Sequence, residues 1–599
     1  MSSNTLTTPY VLLDDCRDDN STGKSLLFKD PVQIIRADHF NEIGPALAAL
    51  DAATENGFHV AGWIAFEVAA HFEERLASCL QAPQGEPLIW LAVVKEPTSL
   101  SLGAVAALLG GQDTPVLSFT TNQAEKSRYL ETIKDIKNYI DAGDVYQINH
   151  TFELPFTLDG NPLALYKKLR KSQPVAFAAL VNTGEQQVLS LSPELFLEKT
   201  NNTITTRPMK GTAARGITSE DDKALGEALQ KDEKNRAENL MIVDLLRNDL
   251  SRIAKPGTVS VDALFAIETY QTVLQMTSTI SAEIDQGQTP SDILRALFPC
   301  GSVTGAPKIR AIEIIQEREQ GPRGVYCGAI GHFKPNGDMT LNVPIRTLVM
   351  DGSGSGRLNV GSGIVADSNA VDEYNECLLK GRFLTDLNPP YDLIETMLWT
   401  PDDGFQRLEG HLTRLQRSAR TFLRPFRRAA ITDALENAVI KTQWPQRVKL
   451  TLGRSGVLTV ASMPLEETTD ELATVSFANT TVHSDDALLA HKTTRRAFYD
   501  DARSEAVATL GVVDVIFSNE RGEITEGAIS NIFAKIGDTL HTPPLTCGLL
   551  PGVMRQTILS DPAIKTAEKI LTVEMIQSAD ALFISNSVRG LVPVALLSP

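Results

Sequence analysis

Asp351-Gly352-Ser353-Gly354-Ser355-Gly356 separates two strand-like stretches, Val343 to Met350 and Leu358 to Val360. Glycine and serine supply the turn conformations that join neighbouring antiparallel strands, so this stretch reads as a hairpin. Working outward, Leu189 to Leu191 is also strand-like, and the segments 125–142, 219–253 and 306–319 carry helical periodicity. Strands joined by tight turns, with helices set apart from them, predict a large α+β domain with antiparallel sheets. That domain ends where the helical pattern VDEYNECLLKGRFL meets Leu387-Asn388-Pro389-Pro390, because a proline pair stops a helix. The boundary is expected near 388, giving domains 1–388 and 389–599.

Beyond the seam, a helix over 405–422 and the hairpin-like stretches VKLTLGRSGVLTVAS and VIFSNERGEITEGAISNIFAKIGDTLHT predict a smaller mixed α/β domain. Two domains agree with 599 residues, at about 150 residues per domain with wide scatter. Hydrophobic content of 42% with 22% charged residues excludes wholesale disorder.

A net charge of −18 with no Lys/Arg block argues against nucleic-acid or anionic-membrane partners, since counterion release needs clustered cations. The opening MSSNTLTTPYVLLDD lacks a basic n-region before an apolar core, and no apolar run is long enough to span a bilayer. The six cysteines lie apart with no C-x-x-C pair, as reduced thiols in a cytoplasmic protein do.

On the helical segment KNRAENLMIVDLLRNDL, Glu238, Ile242, Leu245 and Asp249 share one face, and Glu373, Glu376 and Lys380 share a face of VDEYNECLLKGRF. Carboxylates from two helices suit Mg²⁺, which takes oxygen ligands, waters and substrate oxygens. Solvated charge on amphipathic helices has the same spacing. GSVTGAPK (301–308) sets glycines before a helix with Pro307 near its first turn, which is an anion seat or an ordinary turn; it is not a Walker loop.

GDVYQIN (143–149), SPELF (192–196), RPMKGTAAR (207–215), RAENLMIVDLLRNDL (236–250), GSVTGAPK, RGVYCGAIG (323–331), IRT (345–347), GSGIVADS (361–368) and DEYNECLLK (372–380) together resemble the chorismate-utilising enzymes over roughly 130–385. Residues 10–95 resemble the N-terminal part of the anthranilate and aminodeoxychorismate synthases. The resemblance implies that Glu238 and Glu376 ligate Mg²⁺, with Glu373 acting through water. It implies that Gly361, Ser362 and Gly363, with the metal, hold the ring carboxylate, that Tyr326 and Arg346 hold the enolpyruvyl carboxylate, and that Thr212 and Lys380 belong to the substrate site. Glu194 becomes the general acid that protonates the departing C4 hydroxyl, a role that needs a raised pKa.

Two positions separate branches of that family. Members that add water carry a lysine base where Gln147 stands, so hydration is disfavoured. Anthranilate-forming relatives have a small residue where Lys210 stands, whereas the C4-aminating branch has lysine. The resemblance makes Lys210 the nucleophile that attacks ring C2. At the reference pKa near 10.4 only about 0.1% of a lysine is neutral at pH 7.5, so burial and Mg²⁺ have to supply the rest. Read alone, Lys-Gly-Thr is a surface loop. Gln275 stands where relatives typically have a histidine in contact with substrate.

LEGHLTRLQRSA (408–419), HKTTRRAFYD (491–500), ITEGAISNIF (524–533), GLLPGVMRQTI (548–558) and ISNSVRG (584–590) resemble the fold-type-IV pyridoxal phosphate enzymes, which include aminotransferases and aminodeoxychorismate lyases. The resemblance implies Lys492 as the amine that carries the cofactor, Glu526 at the pyridinium nitrogen, Arg414 at the phosphate, and backbone donors at Val553, Met554 and Ser587. By itself Arg414 is a solvated arginine on the edge of an amphipathic helix.

The expected function is bifunctional: chorismate and ammonia give 4-amino-4-deoxychorismate, and loss of pyruvate then gives 4-aminobenzoate, a folate precursor. The alternatives are a true aminotransferase in the second domain, an anthranilate synthase, and a catalytically silent scaffold. No G-x-C-x-G elbow is present, so a separate glutamine amidotransferase subunit is expected to supply ammonia. Dimerisation through the C-terminal domain is common in the pyridoxal family.

Overall fold

The structure, a computed structural model, describes residues 6–17, 25–110, 115–119, 123–216, 219–270, 273–385, 391–465 and 472–597. The expected seam at Leu387 to Pro390 lies outside the described residues. The chain divides into two compact units, residues 1–213 with 226–388 and residues 214–225 with 389–599.

The first unit is built on two ten-stranded sheets in which every described strand pair is antiparallel. The sheets pack face to face: Val11, Phe28 and Val188 of one meet Trp63, Trp90 and Ile330 of the other in a single apolar cluster. The Trp63 and Trp90 rings stack with centroids 5.4 Å apart. The outer faces are covered by helices, so strands such as Ile89–Val94 are buried along their whole length and show no polar alternation. The expected hairpin is present, with Thr347–Asp351 and Ser355–Ile364 paired antiparallel around the glycine turn.

Three local expectations need correction. The helical stretch 219–253 is two helices, Ser219–Lys231 and Glu233–Ser251, because Asp232 turns out of the helix and its carboxylate accepts from the Asn235 N–H at 2.8 Å. Val343 to Arg346 is not strand. Arg346 sits at φ +51°, and the strand begins only at Thr347. The expected helix over 405–422 begins at Leu408, after a short strand at Gly404–Phe405 and a left-handed Arg407.

In the second unit an antiparallel four-stranded sheet, ordered Gly404–Phe405, Leu393–Thr400, Gln446–Leu452, Leu458–Pro464, packs on helices Leu408–Thr421 and Arg428–Val439. An eight-stranded sheet is mixed. Ala473–Val482 runs parallel to both Asp514–Asn519 and Gly590–Leu596, while Asn531–Ile536 pairs antiparallel with Ala581–Asn586. The six cysteines are unpaired, and no described helix is long and apolar enough to cross a membrane.

Candidate active sites

In the first unit, strands Gln147–Asp159 and Ser355–Ile364 pair so that Gly363 faces Asn149 and Gly361 faces Thr151. A β-carbon at Gly363 would stand 2.5 Å from Gln147 Nε2 and 3.4 Å from Lys210 Nζ. Only glycine lets the amide and the amine approach this backbone. The Gln147 Oε1 atom is buried and has no hydrogen-bond partner.

Lys210 projects from the strand Met209–Ala214 into a ring of charge. Burial, then the neighbouring Lys380, hold its ammonium below the usual lysine range, against the pull of Glu238, Glu194 and Glu376. Glu194 is buried, and burial raises its carboxyl pKa even though the Ser302 hydroxyl donates to Oε1 at 2.6 Å. Lys380 Nζ bridges Glu376 at 2.8 Å and the Gly361 carbonyl at 3.0 Å. The Ser362 hydroxyl lies 2.9 Å from the Tyr129 hydroxyl.

Glu238 on the helix Glu233–Ser251 is raised by burial and, further, by Glu373 and Glu376 on the helix Ala370–Thr385. Glu376 is pushed up by burial but held below its ordinary range by Lys380 and Lys210. Glu373 accepts from the Ser368 hydroxyl at 2.8 Å. Among the described residues no group of three His, Cys, Asp or Glu side chains is gathered closely enough to cage a metal ion.

Tyr326 and Arg346 have separate partners. Tyr326 is buried, and burial, then Cys327, raise its phenol. Arg346 donates to Gln173 Oε1 at 3.1 Å, has no carboxylate within 4.0 Å among the described residues, and is lowered by burial. Gln275 is a clamp on the strand that carries Lys210: its Oε1 accepts from the Thr212 hydroxyl and its Nε2 donates to the Gly211 carbonyl, both at 2.9 Å.

Of the two readings of 301–308, the structure shows a folded turn. The Val303 and Thr304 N–H groups are spent on Cys300 and Gly301 carbonyls, and Pro307 caps the helix Lys308–Arg318, next to its first turn. Lys308 turns inward to Asp249 at 2.8 Å, which supplies the cation that this buried carboxylate needs. The same turn carries Ser302 to Glu194.

In the second unit, Lys492, Glu526, Arg414, Val553, Met554 and Ser587 line one cavity of about 800 Å³. Burial, then Arg496 and Arg414, lower Lys492 to about 8. Its carbonyl accepts from the Ile394 N–H at 2.9 Å, which ties it to the four-stranded sheet. Glu526 is pushed up to about 7 by burial, and its oxygens accept from the Tyr499 hydroxyl at 3.0 Å and Asn531 Nδ2 at 3.2 Å.

Arg414 grips both oxygens of Glu395, Nε at 2.9 Å and Nη2 at 2.6 Å, and its Nη1 donates to the Pro551 carbonyl at 3.2 Å. Burial pushes Glu395 up, but Arg414 and His411 prevail and hold it at about 2. Pro551 adjoins Gly552, the cap of the helix Val553–Leu559, so Arg414 sits beside the N–H groups that open this helix. A β-carbon at Gly552 would collide with Asn531 Oδ1.

The model of chorismate binding enzymes matches residues 8–386, well over half of the chain. The chain belongs to the chorismate binding enzymes. The model of class IV amino-transferases matches residues 392–597. An aminodeoxychorismate synthase of Streptomyces griseus is 42% identical over 302 residues, covering 50% of this chain and 41% of that protein. Aminodeoxychorismate synthase component 1 of Bacillus subtilis is 41% identical over 252 residues, covering 42% of this chain and 53% of that protein. The chain thus spans about half the length of these curated relatives. The crystal structure of anthranilate synthase component I from Streptococcus pneumoniae superposes with a TM-score of 0.53 at 25% identity, over 61% of this chain and 93% of that one.

Within this chorismate binding enzyme, several groups beside the candidate residues were not singled out by the sequence: Ser302 on Glu194, Tyr129 on Ser362, Glu395 on Arg414, and Tyr499 with Asn531 on Glu526. Tyr499 falls inside the quoted motif HKTTRRAFYD, yet only the fold shows that its hydroxyl reaches the carboxylate.

Proposed function

We propose that the first unit aminates chorismate at C4 and that the second removes pyruvate from the product, giving 4-aminobenzoate, with the two activities divided near residue 388. The observation that carries this reading is the desolvated Lys210 amine beside Gly363, ringed by Glu194, Glu238 and Glu376. Desolvation raises the neutral fraction of the amine, which is the nucleophile. In this reading the Lys210 amine bonds to ring C2 as the double bond shifts and the C4 hydroxyl leaves. Glu194, whose carboxyl burial raises above the ordinary range, delivers the proton that makes water of that hydroxyl. Ammonia then bonds to C4 and Lys210 departs from C2. Gln147 carries an amide and cannot act as a base for water, which disfavours hydration.

Glu238 and Glu376, with Glu373 through water, suit Mg²⁺. They are oxygen donors from two helices that repel one another, and Mg²⁺ commonly takes one or two carboxylates and completes its shell with water and substrate. The ion would neutralise the ring carboxylate held at Gly361 to Gly363. Tyr326 and Arg346 hold the enolpyruvyl carboxylate in this reading.

The second cavity suits pyridoxal phosphate: an amine at Lys492, a buried carboxylate at Glu526 for the ring nitrogen, and Arg414 with the Val553, Met554 and Ser587 backbone for the phosphate. Bound there, the cofactor supplies an electron sink. Lys492, lowered to about 8, exchanges a proton at the substrate's C4 near neutral pH, and Tyr499 and Asn531 orient Glu526. Expulsion of the three-carbon arm leaves an aromatic ring, which drives the step.

Ammonia comes from a separate glutamine amidotransferase subunit, in keeping with the Bacillus relative's name as component 1. The chain works in the cytoplasm, and the second unit pairs with its copy.

The test is incubation with chorismate, Mg²⁺ and ammonium, with and without pyridoxal phosphate. The expected products are 4-aminobenzoate and pyruvate in equal amounts with the cofactor, and the amino intermediate without it. Anthranilate as the sole product overturns the first step. Amino transfer to 2-oxo acids without pyruvate release overturns the second.

A further inference from the structure

We propose that Arg323 is a positioning residue for the C4 amination: its guanidinium fork fastens the turn that carries Ser302 to the strand that faces Gly363, and so holds the Glu194 carboxyl in register with the Lys210 site. This rests on the first activity proposed above and names the group that keeps its acid in place.

The turn Gly301–Val303 and the strand Gln147–Asp159 are stitched together by main-chain bonds on one side only. The Asn149 N–H donates to the Thr304 carbonyl at 2.8 Å, and Gly305 and Ala306 pair with Ile148 and Gln147. On the Ser302 side of Thr304 no main-chain bond joins the two among the described residues. Arg323 closes that gap: Nη1 donates to the Val303 carbonyl at 2.8 Å and Nη2 to the Asn149 carbonyl at 2.7 Å. Val303 follows Ser302, whose hydroxyl donates to Glu194, and Asn149 faces Gly363 across the ladder. One planar group therefore grips the backbone of both elements that shape the candidate site.

The fork is itself anchored from behind. Glu319 accepts from Arg323 Nε at 2.9 Å and Nη2 at 2.7 Å, and from the Thr151 N–H at 2.8 Å. Burial pushes Glu319 up, but Arg323 prevails and holds it at about 2, so the anchor stays charged. Arg323 is 2% exposed, with its guanidinium 4.7 Å from the Phe66 ring centroid. An ion pair alone leaves the outer N–H groups to any acceptor, whereas here they go to carbonyls of the two elements that flank the site. A lysine keeps the charge, but an ammonium cannot span a carboxylate and two carbonyls in one plane. The Arg323 main chain is tied separately, its N–H to Glu67 at 2.6 Å, so the path to Tyr326 does not depend on the side chain.

The full chain is compared with Arg323→Lys, Ser302→Ala and the double variant. Two readings are taken: the alkaline limb of chorismate amination with ammonium and Mg²⁺, and hydrogen exchange of the amides in 147–152 and 301–306. Arg323→Lys is expected to speed exchange about tenfold in both segments, as for loss of one hydrogen bond. It is expected to move the limb to higher pH by up to about one unit, because a loosened Ser302 contact lets the carboxyl keep its proton longer. The titratable groups that face Glu194, namely Lys210, Cys300 and Cys327, are unchanged in every variant. In the double variant the limb is expected to move no further than in Ser302→Ala, since both changes act through one contact. Should Arg323→Lys not fold, Glu319→Gln, which weakens the anchor and leaves the fork in place, is read by the same criteria with smaller shifts. A limb that moves in Ser302→Ala but not in Arg323→Lys overturns the inference, as do fully additive shifts or exchange raised throughout the first unit. Exchange raised in the two segments alone, with a limb that neither substitution moves, upholds the clamp and overturns the Glu194 acid instead.

Discussion

Ser302 donates to Glu194 at 2.6 Å across 108 positions of sequence, tying a glycine-rich turn to a buried carboxyl. The contact favours the ionised carboxylate and so opposes the burial that raises it. Ser302→Ala removes that opposition. The alkaline limb of the amination rate is therefore expected to move to higher pH, because the acid keeps its proton longer. A limb that stays in place or moves down would show that Glu194 is not the acid.

Lys210→Ala is expected to lower C4 amination by roughly three orders of magnitude or more, as removal of a nucleophile does. Release of pyruvate from supplied 4-amino-4-deoxychorismate should persist, since the proposal assigns that step to the other cavity. Lys210→Arg separates nucleophile from charge: a guanidinium keeps the positive charge and cannot become neutral. Activity retained in the arginine variant would sink the nucleophilic role.

Glu526 makes stability depend on pH in the cofactor-free chain. Its folded-state pKa of about 7 lies above the ordinary 4.5, so between those values the folded state holds a proton that the unfolded chain has released. Stability therefore falls as pH rises through that window, by at most on the order of 3 kcal/mol. Thermal unfolding midpoints of the second unit, taken across the window, are expected to decline less steeply in Glu526→Gln. Parallel declines would refute the assignment.

Lys308→Met leaves the Asp249 carboxylate buried without its cation. A loss of about 3–5 kcal/mol is expected for the first unit, as for other broken buried pairs. Urea midpoints measure it, and Lys308→Met combined with Asp249→Leu should recover much of the loss. A single variant as stable as the parent would mean that the pair contributes nothing.

The antiparallel sheets were legible because Asp351 to Gly356 is a turn in itself, and Gly361 and Gly363 because the motif around them is contiguous. Asp249 could be singled out as a buried carboxylate from its helical face, but nothing in the spacing named Lys308 as its cation. Partners such as Glu395, Ser302 and Asn531 were beyond reach for another reason. Each acts through a tertiary contact, and although Ser302 and Asn531 lie inside motifs quoted above, no spacing says which carboxylate they reach. The break at Asp232 was missed because helical periodicity runs on through both flanks, and one capping carboxylate decides it. Arg346 shows the converse case. The resemblance pointed it at an anion, while its left-handed backbone, which holds off the strand until Thr347, has no mark in the sequence.

Arg447 and Lys449 alternate with Val448 and Leu450 on a single strand. Sliding that strand by one residue against its neighbours would sink two cations into oil and put two aliphatic chains in water. A chain that has folded with the right inside has thereby also set both cations on the opposite face of the sheet. At this strand the register that buries the aliphatic side chains is the same register that keeps the charges out of the core.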